Sequence, residues 1–207
     1  MRSSKSSISP FIKWAGGKTQ LLGELVACVP SKFNTYYEPF LGAGALFFKL
    51  SSMDKISKAV ISDLNKDLIN CYLVIRDDLS NFISLLDDYQ KHVDEKDFFY
   101  DFARPSFNKI KLRTGLEKNV EKAALLIYLN KTCFNGLYRV NSKGGFNVPW
   151  GRYKTPKLYS VENLKSVNRA LKDEDRIQIK CCDYRGPCLG DTSSPVALGR
   201  GGYPSFP

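Results

Sequence analysis

The run Tyr37-Glu38-Pro39-Phe40-Leu41-Gly42-Ala43-Gly44 reads as the end of a buried strand turning directly into a helix, with two glycines at the turn. A turn of this kind lets a ligand approach backbone N–H groups at a helix N-terminus, where a Cβ would block it. Asp63 stands at the tip of the next apolar run, Ala59-Val60-Ile61-Ser62, where a carboxylate suits the diol of a ribose. The nicotinamide fingerprint needs a third small residue, and Phe47 occupies that place. Gly16-Gly17-Lys18-Thr19 has the end of a P-loop, but Ile12 stands where its first glycine is required and no strand precedes it. A kinase or NTPase is therefore disfavoured.

These residues must be carried by an α/β core. Leu21, Leu22, Leu25, Val26 and Val29 recur at helical spacing, and Pro30 closes that helix. Strands are expected at about residues 35–40 and 58–62, with helices from about 43 to 50 and from Asn65 onward. This alternation argues for parallel strands. From about 66 to 132 the chain turns helical and basic, with Phe82, Ile83, Leu85 and Leu86 along one helix and Val120 to Tyr128 in another. The stretch Asn130 to Tyr153 is dense in Asn, Gly, Arg and aromatics, which is poor core and good recognition-loop composition. A helix near 160–171 and a third core strand at Arg176 to Cys182 follow. The Gly/Pro-rich tail from Tyr184 carries no hydrophobic period, and composition alone leaves a natural flexible tail and an out-of-frame one on equal footing.

Lys and Arg number 31 against 21 acidic residues, giving a net charge of +10 and a pI near 9.3. That surplus points to an anionic partner, nucleic acid before membrane, because the sequence holds no long apolar run or basic amphipathic helix. The Ser-rich first ten residues have no apolar signal region. Six cysteines without CxxC spacing and a single histidine, His92, argue against zinc and for reduced thiols in a cytoplasm.

Four motifs then fall in order: FIKWAGGK, YEPFLGAGALFF, AVISDLNKDLI and LNKTCFNGLYRVNSKGGFNVPWGRYKTP. Over roughly residues 10–183 the chain resembles the Dam-type bacterial and phage DNA adenine N6-methyltransferases. The resemblance implies a partial doubly wound S-adenosylmethionine-dependent methyltransferase sheet with an inserted, mainly helical target-recognition domain. It implies a cofactor-binding core at 10–65 and 173–183, a recognition domain at 66–172, a disordered segment at 1–9 and an irregular tail at 184–207. The resemblance further implies S-adenosylmethionine as cofactor and double-stranded DNA as partner, with GATC the candidate target, and a cytoplasmic monomer.

By the same resemblance, Trp14, Lys18, Glu38, Phe40, Gly42, Gly44 and Asp63 belong to the cofactor site. The Glu38-to-Gly44 turn would cradle the methionine end against backbone N–H groups, with Lys18 a partner for its carboxylate and Trp14 an aromatic wall. Lys13 and Arg139 match guanine-contacting positions, Leu137 and Pro149 match base-touching ones, and Tyr153 matches an aromatic wedge. One element of the family is absent. The catalytic Asp-Pro-Pro-Tyr should follow shortly after Asp183, and the chain contains neither Asp-Pro nor Pro-Pro. No catalytic residue is therefore assigned, and turnover by this chain is expected to be lost. The alternatives are a non-catalytic DNA-binding module that keeps the recognition loops, and an unrelated nucleotide-binding protein that would be retained on ATP.

Overall fold

Three short strands, β1 (Tyr36–Glu38), β2 (Ala59–Asp63) and β3 (Ile177–Cys181), run parallel in the order β1–β2–β3. Tyr36 stands opposite Ala59, and Ala59 stands opposite Ile177 on its other side, so β2 is the central strand. The computed structural model describes residues 7–184. The Gly/Pro-rich tail beyond Tyr184 and residues 1–6 of the N-terminal segment lie outside the described residues, while Ile8 N–H donates to Ser52 Oγ at 3.1 Å and Ser9 N–H to Asn163 Oδ1 at 2.9 Å.

The strands are parallel because each crossover runs through helices. Between β1 and β2 lies α2 (Ala45–Ser52), and between β2 and β3 lies the longer helical passage. The first strand is shorter than the expected 35–40 because Pro39 offers no N–H to the ladder. The helix expected from 43 begins at Ala45, since Gly44 adopts φ +70° and serves as its left-handed N-cap. Ahead of the sheet, a 3-10 turn (Lys18–Leu21) leads into α1 (Leu22–Cys28), which presents Leu22, Leu25 and Val26 to the core. Leu21 lies in the 3-10 turn and is exposed.

After β2 the Asn65 side chain caps α3 (Lys66–Asp77) by accepting from Leu68 N–H at 3.0 Å. Then come α4 (Leu79–Gln90), a π-helical turn (Phe98–Ala103), α5 (Arg104–Lys109) and α6 (Val120–Thr132). A 3-10 turn at Phe134–Gly136 opens a loop-rich stretch that ends at α7 (Val161–Leu171), capped by Ser160. Helix α6 buries its side chains on nearly every face, as a helix at the centre of a bundle must. It packs against α3 and α4, while α3 also lies on β2 and β3. One continuous hydrophobic cluster therefore runs from Phe11 through Phe47, Tyr72 and Leu126 to Ile179.

Even a lysine is drawn inside. Lys122 is 4% exposed, and its ammonium donates to the carbonyls of Phe107 and Ile110, each at 2.9 Å, above the Phe107 ring. Burial holds its pKa below the usual lysine range. Cys28, Cys71, Cys133 and Cys181 are free thiols. No helix of the described residues is long and apolar enough to cross a membrane.

Candidate functional site

The C-terminal ends of β1 and β2 open onto a cavity of about 270 Å³. Trp14, Lys18, Glu38, Phe40, Gly42, Gly44 and Asp63 all line it, arriving from three separated segments of the chain. Residues Ala15 to Gly17 complete the rim. A cavity beyond the carboxyl ends of parallel strands is where open α/β sheets take ligands.

The turn between β1 and α2 is built of backbone. Gly42 and Gly44 have φ of +51° and +70°, a region that side chains rarely adopt. A Cβ on Gly44 would stand 2.7 Å from the Tyr72 hydroxyl and 2.9 Å from Phe48, and one on Gly42 would meet the Trp14 indole at 3.2 Å. Tyr72 fastens the turn from below by donating to the Gly42 carbonyl at 2.9 Å. The turn's two glycine N–H groups are engaged within the protein. Gly42 N–H donates to Asp63 Oδ2 at 2.9 Å, and Gly44 N–H donates to the Leu41 carbonyl at 2.8 Å.

Asp63 uses its other oxygen too, accepting from Asn65 N–H at 2.9 Å. Its carboxylate is thus oriented by two backbone amides, and each oxygen keeps a lone pair for a ligand. Glu38 is only 8% exposed and accepts from the Tyr36 hydroxyl at 2.9 Å. Burial pushes its carboxyl up to about 7, opposed by the Tyr36 hydrogen bond, the Lys18 charge and the Phe47 N–H in the first turn of α2. Phe40 is the outlier of the set. It is 60% exposed and packs its ring against Tyr184 at 5.0 Å.

The second group of residues lies on the loops between α6 and α7. Asn130, buried in the last turn of α6, accepts from Lys13 N–H at 3.0 Å and donates to the carbonyls of Lys13 and Gly136 at 2.9 and 2.8 Å. One amide thereby fixes the strap carrying Lys13 to the loop carrying Leu137 and Arg139. Lys13 crosses so close to Gly136 that a Cβ there would fall 2.5 Å from its side chain. Farther along, Phe134 N–H donates to the Pro149 carbonyl at 2.8 Å and Gly151 N–H to the Thr132 carbonyl at 2.7 Å.

Leu137, Arg139, Pro149 and Lys13 are exposed on this surface. Arg139 is braced by Asn147, donating from Nε to Oδ1 at 2.8 Å. One terminal nitrogen also donates to the Asn147 carbonyl at 3.3 Å, and no carboxylate pairs with the guanidinium among the described residues. Tyr153 is half-buried and held: its hydroxyl accepts from Asn135 N–H at 3.2 Å, and the Lys13 ammonium stands 5.6 Å over its ring. The aromatic that projects is Phe134, 51% exposed, which sequence reasoning did not single out. Its neighbour Asn135 takes φ +53°, a conformation that turns the chain sharply beside it. Half-buried Lys131 lies next to Lys13, and burial together with that neighbouring charge holds its pKa below the usual range. Lys13, Lys131 and Arg139 form no ion pair among the described residues.

Sequence reasoning assigned no role to Asn130 or to Tyr138, whose ring packs 5.1 Å from Trp14 at 32°. Among the described residues no group of His, Cys, Asp and Glu is arranged to hold a metal ion.

The D12 class N6 adenine-specific DNA methyltransferase family matches residues 14–189. The type II methyltransferase M.MjaIII of Methanocaldococcus jannaschii is 43% identical over 188 residues, covering 86% of this chain and 63% of the relative. The type II methyltransferase M1.LlaDCHI of Lactococcus lactis subsp. cremoris is 40% identical, covering 89% and 62%. The DNA adenine methylase of Escherichia coli strain K12 is 35% identical, covering 77% and 54%. The chain spans less than two thirds of the length of these three relatives.

Proposed function

The chain belongs to the D12 class N6 adenine-specific DNA methyltransferases, and we propose that it binds S-adenosylmethionine in the cavity between Trp14 and Asp63 and duplex DNA across the loops of residues 133–153. The observation that carries the cofactor reading is convergence. Residues 14–18, 38–44 and 63 are far apart in sequence, yet all seven motif residues line one cavity.

Each residue has a chemical task in that reading. Lys18 pairs with the carboxylate of the methionine moiety, and Glu38, in its ionised form, pairs with the ammonium group. Asp63 accepts from the ribose hydroxyls with the lone pairs that Gly42 and Asn65 leave open. Trp14 and Phe40 supply apolar walls, and the missing Cβ atoms of Gly42 and Gly44 leave the room. When bound, the cofactor supplies an electrophilic methyl group for transfer to adenine N6.

On the DNA side, Lys13 and Arg139 read guanine in the major groove, where a guanidinium fits O6 and N7 together. Leu137 and Pro149 give the apolar contacts, and an aromatic of the same surface, Tyr153 or the more exposed Phe134, fills the gap left by a flipped base. The interval 66–172 then serves target recognition and 10–65 with 173–183 serves the cofactor, in a monomer acting on cytoplasmic DNA.

Methyl transfer needs more than these two sites. Within the sequence no Asp-Pro or Pro-Pro is present to orient the adenine amino group. We propose that this chain binds both ligands without turning them over. Loss of positioning and electrostatic assistance together removes at least about 10⁴-fold in rate. Calorimetry with S-adenosylmethionine, alongside a transfer assay with tritiated cofactor and duplex DNA, tests both parts. Saturable cofactor binding with no label above a mock preparation is expected. Absence of binding overturns the cofactor reading, and incorporated label overturns the claim of lost turnover.

A further inference from the structure

Tyr138 sits between the two recognition residues Leu137 and Arg139, yet its side chain turns away from them. Its ring packs on Trp14 at 5.1 Å, and its hydroxyl donates to Asp67 Oδ2 at 2.8 Å with the Asn65 amide beside it. Both partners belong to the walls of the cofactor cavity or continue them. Trp14 lines the cavity directly. Asp67 lies in the first turn of α3, four residues beyond the cavity acid Asp63, whose carboxylate is fixed to Asn65 N–H. Asp67 is in turn anchored by the buried Lys122 ammonium at 3.5 Å, which is itself tied to the carbonyls of Phe107 and Ile110.

Resting on the cofactor reading above, we infer that Tyr138 is a positioning residue that couples occupancy of the cofactor cavity to the order of the DNA-recognition loop. A ligand seated against Trp14 fixes one face of the indole, and the indole's other neighbour is Tyr138. The hydroxyl bond to Asp67 converts that contact into a defined position rather than a loose stack. Buried Lys122 makes the Asp67 end rigid, so the Tyr138 side chain is held between a fixed carboxylate and the Trp14 indole. Because coupling between two sites is reciprocal, DNA seated on Leu137 and Arg139 favours the same indole position that the cofactor favours. The element that both sites bias is the ring pair Trp14–Tyr138.

The opposite face of this network is a second cavity of about 270 Å³, lined by Asn65, Lys66, Asp67, Lys111, Lys122 and Tyr138 among others. That room lets the Tyr138 side chain shift when the indole does, which a close-packed surround would forbid.

Hydrogen exchange of the whole chain, with and without S-adenosylmethionine, tests the inference, and calorimetry on the same samples reports cofactor binding separately. In the parent protein the amides of residues 134–140 are expected to exchange roughly tenfold more slowly once cofactor is bound, the scale of ordinary coupling between sites. Tyr138→Phe keeps the ring and loses the hydroxyl bond, so the protection should shrink while cofactor affinity stays within about twofold. Tyr138→Leu loses both contacts, and its loop should not respond at all. A thermal melt checks that both variants are folded, a role of stability alone being unable to change the ratio of bound to free exchange. The same protection in Tyr138→Leu as in the parent overturns the inference, as does a parent loop that ignores bound cofactor. A parent chain that binds no cofactor overturns the underlying reading, and the calorimetry identifies that case.

Discussion

The cofactor cavity and the recognition loops are stabilised in opposite ways. The cavity is made by backbone: a strand end, a helix start and two left-handed glycines whose amides are satisfied internally. The recognition surface is made by side chains that fasten irregular chain, with Asn130, Asn147 and the Tyr153 hydroxyl doing what a sheet ladder does elsewhere. A backbone-built site tolerates no new atoms but offers few side chains to vary. A side-chain-built surface tolerates exchange at its exposed positions and depends on a few buried polar anchors. Such a division suits a cofactor that never changes and a target sequence that does.

Gly44 is the position where the cavity can least accept a new atom. Gly44→Ala places a Cβ in a left-handed conformation and within 2.7 Å of Tyr72 and 2.9 Å of Phe48. The combined backbone and overpacking cost is about 2–5 kcal/mol. Urea denaturation should show it, with cofactor binding lost in the same variant. Unchanged stability would mean the turn relaxes and is not the rigid element described.

Asn130→Ala attacks the other region. It strands the Lys13 N–H and the carbonyls of Lys13 and Gly136, buried groups whose loss of partners costs about 2–4 kcal/mol together. DNA affinity should fall much more than cofactor affinity, which calorimetry with each ligand separately will report. Equal losses would show that the two regions are not separable.

How much of this was legible follows the same division. The turn, Asp63 and the helix opening at Asn65 were readable because glycine spacing and apolar runs are local patterns tied to backbone conformation. The three strands were placed within two residues at most ends for the same reason. Asn130, Tyr138 and Lys122 were not readable, since their partners lie up to 117 residues away and nothing in a polar residue's neighbours announces a long-range bond. Phe134 was passed over because exposure is a property of the folded surface, and a phenylalanine in sequence reads as core. That the Gly42 and Gly44 amides are engaged by Asp63 and Leu41 was not readable either, since it depends on how the strand ends meet.

Glu38 offers a test by pH rather than by shape. Its carboxyl is pushed up to about 7, chiefly by burial, from an ordinary value of 4.5. Between those values the folded chain holds a proton that the unfolded chain has released, so stability falls as pH rises through that window and levels off above it. The full span is about 3 kcal/mol at most. Glu38→Gln should flatten the profile of urea midpoint against pH from 4.5 to 7. In the parent, a ligand carrying an ammonium group should bind more tightly above pH 7 and release a proton below it. A parent profile already flat across that range would place the carboxyl in a wetter setting than the buried one beside Tyr36.

Arg139 sharpens the recognition side with the smallest effect. Its guanidinium is exposed but not loose, because Nε donates to Asn147 Oδ1 and one terminal nitrogen approaches the Asn147 carbonyl at 3.3 Å. The brace turns the remaining N–H groups outward as a fixed fork, the arrangement that suits the O6 and N7 acceptors of guanine. Arg139→Ala should therefore cost about 1–3 kcal/mol on the best-bound duplex and far less on random duplex. Arg139→Lys keeps the charge and loses the fork, so it should recover random-duplex binding while leaving most of the discrimination unrestored. Asn147→Ala frees the side chain without removing it, and discrimination should fall part of the way. Competition titrations with the two duplexes measure all three variants. If alanine weakens both duplexes by the same factor, Arg139 is a phosphate contact, and the brace from Asn147 serves the loop rather than the reading of bases.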